Sequence, residues 1–175
     1  MNKNILKWEL FGALFISVIG AVFHFLFEWL GSFPPIGGFF PVNESVWEHL
    51  KIGFWPALVY AIIEYPYLNK QTSNFIFAKT MGILAIPLSI AMLFYTYSGV
   101  FGEEVFLADI LIFFAAVAIG QYISYRLLIK GATPRALDIV GLTLVITLAF
   151  MFAFYTYYPP QLPIFQDPMG IYGIS

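Results

Sequence analysis

Two histidines and a short run of acids are the side chains here with the most chemistry to offer. His24 lies near the end of the first apolar stretch, and the second opens with Asn43-Glu44-Ser45-Val46-Trp47-Glu48-His49-Leu50-Lys51. If both stretches are helices of opposite direction, His24, Glu48 and His49 fall at nearly one depth, with Glu28 one turn from His24 on the same face. Asp109, early in a later apolar stretch, joins that layer. Neutral imidazoles and carboxylates arriving from separate helices suit a divalent metal such as zinc. On that reading His24, Glu44 and His49 are the ligands. Glu48 or Asp109 is the base that activates a metal-bound water, and Glu28, Ser45, Asp167 and Tyr172 supply further polar groups. The spacing matches no fixed ligand motif such as His-Glu-x-x-His, and the same groups could load protons or cations on a pathway.

A simpler reading accounts for part of the run. Ser45-x-x-Glu48 has the form of a capping box, Glu48 and Lys51 form an i,i+3 pair, and Trp47 suits an interface. It leaves His24, Glu28, His49 and Asp109 unassigned. Helical spacing also sets Glu44, Glu48 and Lys51 on one face and Ser45 with His49 on another. Two acids on one turn repel unless Lys51, a proton or a bound cation relieves them.

The elements that must hold these groups are helices in lipid. Of 175 residues, 61% are apolar and only 10% charged, against about a quarter charged in soluble domains; the mean hydropathy is +0.84. Apolar runs bounded by turn signals predict helices near 9–31, 45–68, 74–98, 104–129 and 135–158. The fold expected is all-α: one five-helix transmembrane domain with a Pro-rich tail over 159–175. The first run exceeds a signal-peptide core of about 7 to 15 residues and reads as a retained anchor. Lys3, Lys7, Lys70, Lys79, Arg126, Lys130 and Arg135 fall at one end and only Lys51 at the other. The amino terminus is therefore expected in the cytoplasm and the carboxyl terminus outside, in a multi-pass plasma-membrane protein. Tyr95-Thr96-Tyr97 and Tyr155-Thr156-Tyr157 fit an outer aromatic belt. Pro56 and Pro87 predict kinks, and Ala115, Ala116, Ala118 and Gly120 read as a close-packing face.

Towards the inner side, Glu9 is expected at the interface and Asp138 at the positive end of the fifth helix, while Glu64 and Gln121 would extend any conduction path. The Pro-rich tail either folds over the outer mouth, carrying Asp167 and Tyr172 towards the histidines, or lies along the interface. Absence of cysteine removes disulfides, iron–sulfur clusters and thiolate zinc sites. A net charge of -2 with no basic run excludes nucleic acid as a partner. Membrane lipids are the partners implied, with a second copy or another membrane protein as a further candidate.

The Asn43 to Lys51 segment, His24, Phe165-Gln166-Asp167-Pro168 and Tyr172-Gly173 resemble a family of small, uncharacterised prokaryotic integral membrane proteins grouped as a domain of unknown function. The likeness spans the chain and implies a membrane fold, with no activity to carry over. The layer of His, Asp and Ser is also loosely similar to ceramidase-like membrane hydrolases, which have seven spans and a His-x-x-x-His element absent here. Four functions fit the sequence: metal-dependent hydrolysis of a lipid-like substrate, proton- or cation-coupled transport, a single-haem cytochrome with His24 and His49 as axial ligands, and a structural role.

Overall fold

Residues 3–174 are described in a computed structural model. Among these residues are five long helices: α1 (Lys3–Trp29), α2 (Val46–Leu68), α3 (Phe75–Phe101), α4 (Phe106–Leu128) and α5 (Arg135–Tyr157). Short 3-10 turns at Pro34–Ile36 and Pro163–Phe165 punctuate the α1–α2 loop and the tail. The predicted helices are all present, with α1 beginning earlier than expected and α3 ending later. Both α2 and α3 continue through their prolines, Pro56, Pro66 and Pro87.

Neighbouring helices alternate in direction, as hydrogen bonds at one end demonstrate. Asn4 at the start of α1 donates to Gln71 just beyond α2 (2.8 Å), and Asn74 before α3 donates to the Leu127 carbonyl at the end of α4 (2.6 Å). Asp138 in the first turn of α5 accepts the Phe77 N–H (3.0 Å), so it caps α3 as well as facing its own helix dipole. Lys3, Lys7, Lys70, Arg126, Lys130 and Arg135 all belong to this basic end. The His24 and His49 layer lies at the other, the histidine end.

Helices α1 to α4 close a ring in which each packs on two of the others, and α5 lies against α3 and, more lightly, α2. The α3–α4 contact is close because of two glycines. A Cβ on Gly120 would lie 2.8 Å from the Gly82 carbonyl oxygen and 2.4 Å from Ile86 Cγ1, so only glycine lets the backbones meet there. Ala116 and Gly120 face this packing as expected. Ala115 and Ala118 do not: both are exposed, because the buried stripe of α4 runs through Phe113, Ala116, Val117, Gly120 and Gln121.

The surface is broadly apolar, and the apolar core encloses several charged groups. Leu10, Phe11 and Leu14 of α1, Leu88 and Met92 of α3, and Ile139, Ile146 and Phe150 of α5 are exposed, while Glu9, Glu48, Lys51, Glu64 and Lys79 are buried. Four helices, α1, α3, α4 and α5, are long and apolar enough to cross a membrane. The burial corrects two expectations. Glu9 is not at an interface, and Lys51 and Lys79 are internal partners of acids, so neither reports on which side of a membrane its end lies.

Candidate metal centre

The histidine end is assembled from α1, the loop after it and the first turn of α2. Ser45 caps α2: its extended backbone (φ -71°, ψ 152°) places the hydroxyl to accept the Glu48 N–H at 3.4 Å. Only half of a capping box forms, since the Ser45 N–H goes to Asn43 Oδ1 (3.0 Å) rather than to Glu48. Glu44 precedes the helix. The angular arithmetic that grouped it with Glu48 does not apply to it, and its carboxylate turns to the histidines instead.

There His24 Nε2 and His49 Nε2 stand 3.1 Å apart, and Glu44 Oε2 lies 3.3 Å from His49 Nε2 and 3.8 Å from His24 Nε2. The point equidistant from these three atoms is about 2.0 Å from each, the length of a zinc–nitrogen bond. The His49 ring is oriented from behind: its Nδ1 lies 3.0 Å from the Ser45 carbonyl oxygen. A carbonyl only accepts, so Nδ1 carries the hydrogen and neutral His49 presents a bare Nε2 to the centre. A lone pair beside a carboxylate and a second imidazole is repulsive unless a proton or cation lies between them. When a proton fills that position, His49 Nε2–H donates to Glu44 and holds its carboxyl below the usual glutamate range. Both imidazoles are part-buried and Glu44 is 59% exposed, so the centre opens to the surroundings on the Glu44 side.

The other expected site residues lie apart from this triad. Glu48 is 1% exposed and paired with Lys51 (2.6 Å), and its carboxylate also accepts from the Val42 N–H (3.0 Å) and the Thr156 hydroxyl (3.1 Å). Both its oxygens are occupied. Lys51 in turn donates to the Gly37 carbonyl (2.8 Å) and to Thr156 Oγ1, so the pair clamps the α1–α2 loop and the end of α5 to α2. Asp109 accepts the Tyr97 hydroxyl (2.5 Å) and is near enough for its charge to act on His49 without touching it. Glu28 is exposed one turn beyond His24. The tail does fold back over the histidine end. Phe165 is buried against Trp47, Gly173 accepts from Asn43 (2.9 Å), and the Ile174 N–H reaches the Thr156 carbonyl (3.0 Å). Asp167 spends its carboxylate within the tail, on the Met169 and Ile171 N–H groups (2.9 and 2.7 Å), and Tyr172 bridges Gln166.

A second polar cluster, undetected as a unit in the sequence, occupies the other half of the ring. Lys79 of α3 lies 2.9 Å from Glu9 of α1 and 2.5 Å from Glu64 of α2, and Ser124 of α4 donates to Glu9 at 2.8 Å. Gln121 donates to the Glu9 backbone carbonyl (3.1 Å).

The chain belongs to DUF6512, a family of unknown function whose model matches residues 1–174. None of the curated proteins and none of the solved structures compared with it matches the chain.

Proposed function

We propose that this member of DUF6512 is a five-span plasma-membrane protein, amino terminus cytoplasmic, that binds a divalent metal such as zinc at His24, Glu44 and His49 near its outer face. The convergence of three acceptor atoms around one point at bonding distance carries this reading. In favour of a fifth crossing, α2 begins beside the His24 end of α1 and finishes beside its Asn4 end. Its 23 residues span roughly 35 Å against a hydrocarbon core of about 30 Å. Its Glu48, Lys51 and Glu64 are tolerable because α1, α3 and α5 enclose them. Six exposed basic residues at the Asn4 end support a cytoplasmic location for that end.

Three protein donors leave a zinc ion one further position, where a bound water becomes acidic enough to act as a nucleophile near neutral pH. With the site open beside an apolar surface, the substrate class that fits is an amphiphile, hydrolysed at its head group. Asp109, bonded to Tyr97 through Oδ1 alone, is the carboxylate proposed to act on that water, since both Glu48 oxygens are committed. A haem reading is disfavoured by the 3.1 Å between the imidazole nitrogens, which leaves no space for a macrocycle between them.

Elemental analysis of the detergent-purified protein tests the metal. One zinc per chain is expected, falling to background in His24→Ala and Glu44→Gln; a wild-type protein without stoichiometric metal after zinc loading overturns the reading. Asp109→Asn is expected to keep the metal and lose hydrolysis of amphiphilic esters or amides.

A further inference from the structure

The Glu9–Lys79–Glu64 cluster gathers two carboxylates and one ammonium where four helices meet. Glu9 is 3% exposed, Lys79 4% and Glu64 0%. Lys79 Nζ bridges Glu9 Oε1 and Glu64 Oε2, and Ser124 adds a bond to the same Glu9 oxygen. The outer oxygens, Glu9 Oε2 and Glu64 Oε1, have no hydrogen-bond partner among the described residues although both are buried.

From α2 the Tyr60 ring sits under the ammonium, 5.8 Å to its centroid, while its hydroxyl donates away to the Trp8 carbonyl (2.6 Å). From α4 come the neutral Gln121 and Ser124. Asp138 of α5 is committed to the Phe77 N–H and adds no positive charge. With both acids ionised the cluster would carry a net negative charge in a low-dielectric interior, and desolvating an unbalanced charge costs several kcal/mol. One proton cancels it. That proton also turns an unpartnered acceptor oxygen into an O–H group.

We infer that Glu9, Lys79 and Glu64 form a proton-binding site, with one exchangeable proton held by the carboxylate pair and Lys79 kept charged between them. Loss of the proton leaves the cluster singly negative, and its return restores neutrality. The basic end is about one helical turn away, since Glu64 precedes Leu68 and Lys79 follows Phe75 by four residues. Exchange with that side is therefore short. The inference is independent of the metal centre, which lies at the opposite end.

Infrared difference spectroscopy on the purified full chain reads the proton directly, through the C=O stretch of a neutral carboxylic acid. At neutral pH the wild type is expected to show such a band that shifts on exchange into deuterated water. Glu9→Gln and Glu64→Gln each leave a single carboxylate balanced by Lys79, so each is expected to abolish it. Lys79→Met, which removes the ammonium, is expected to double it. Absence of the band in the wild type, or its survival in either glutamine variant, overturns the proposal and leaves an ion-paired latch. Metal content, unchanged in all three variants, separates this outcome from any failure at the histidines.

Discussion

Glu44 is the most exposed member of the histidine–carboxylate triad, and His49 is the main influence on its protonation. Because His49 holds its carboxyl below the ordinary range, the stabilisation it gives is fully present above the unfolded value of about 4.3 and lost as pH falls through the lower folded value. Melting curves from neutral to acid pH are expected to show Glu44→Gln less stable than wild type at neutral pH, with the two converging at the acid end. Chelation is expected to lower the melting temperature of zinc-loaded wild type and leave His24→Ala unmoved, since the variant has no bound ion to lose. His24 and His49 were legible from helical depth alone. Glu44 was read as the third member of that triad, but the helical-face arithmetic that also grouped it with Glu48 failed because Glu44 precedes the Ser45 cap. Glu48 was misleading for another reason: the groups that occupy it include Thr156, 108 residues away.

At the level of elements, α2 depends on being enclosed. Its buried pair offers a sharp test. Lys51→Met leaves Glu48 buried without its countercharge, which costs about 3 to 5 kcal/mol, whereas Glu48→Gln combined with Lys51→Met removes both charges and is expected to recover much of that loss. Denaturation in detergent measures both, and hydrogen exchange is expected to rise at Val42 and Ile174 in the single variant. The α3–α4 crossing is tested by Gly120→Val, whose side chain must displace Ile86 or part the helices. About 1 to 3 kcal/mol of destabilisation is expected. Helix positions were readable in the sequence because apolar runs and turn residues mark them. The pairing of Glu9 with Lys79 was hidden, since each residue by itself reads as an ordinary charge at the end of a span.

Across the whole molecule, apolar side chains cover the outside of the helices while two charged clusters lie buried in an otherwise apolar core. The absence of native cysteine makes orientation easy to measure. A cysteine placed at Lys130 is expected to react with an impermeant maleimide only in inverted vesicles, and one at Glu103 only in intact cells; the reverse pattern would invert the proposed topology. Membrane class and helix number followed from composition, because five apolar runs leave almost no chain for anything else. The closed ring of α1 to α4 did not, as adjacency of α1 and α4 rests on Gly12 meeting Gln121 and on the buried Glu9 cluster.

The clamp at the histidine end has a consequence for biosynthesis. Lys51 takes its Thr156 contact from 105 residues downstream, and Asn43 takes its Gly173 contact from 130 downstream. During translation the first four helices are therefore complete while the loop beside His24 is still untethered. Only emergence of Thr156 and Gly173 supplies these two fastenings, so a product cut short of them would keep the loop beside His24 and His49 loose.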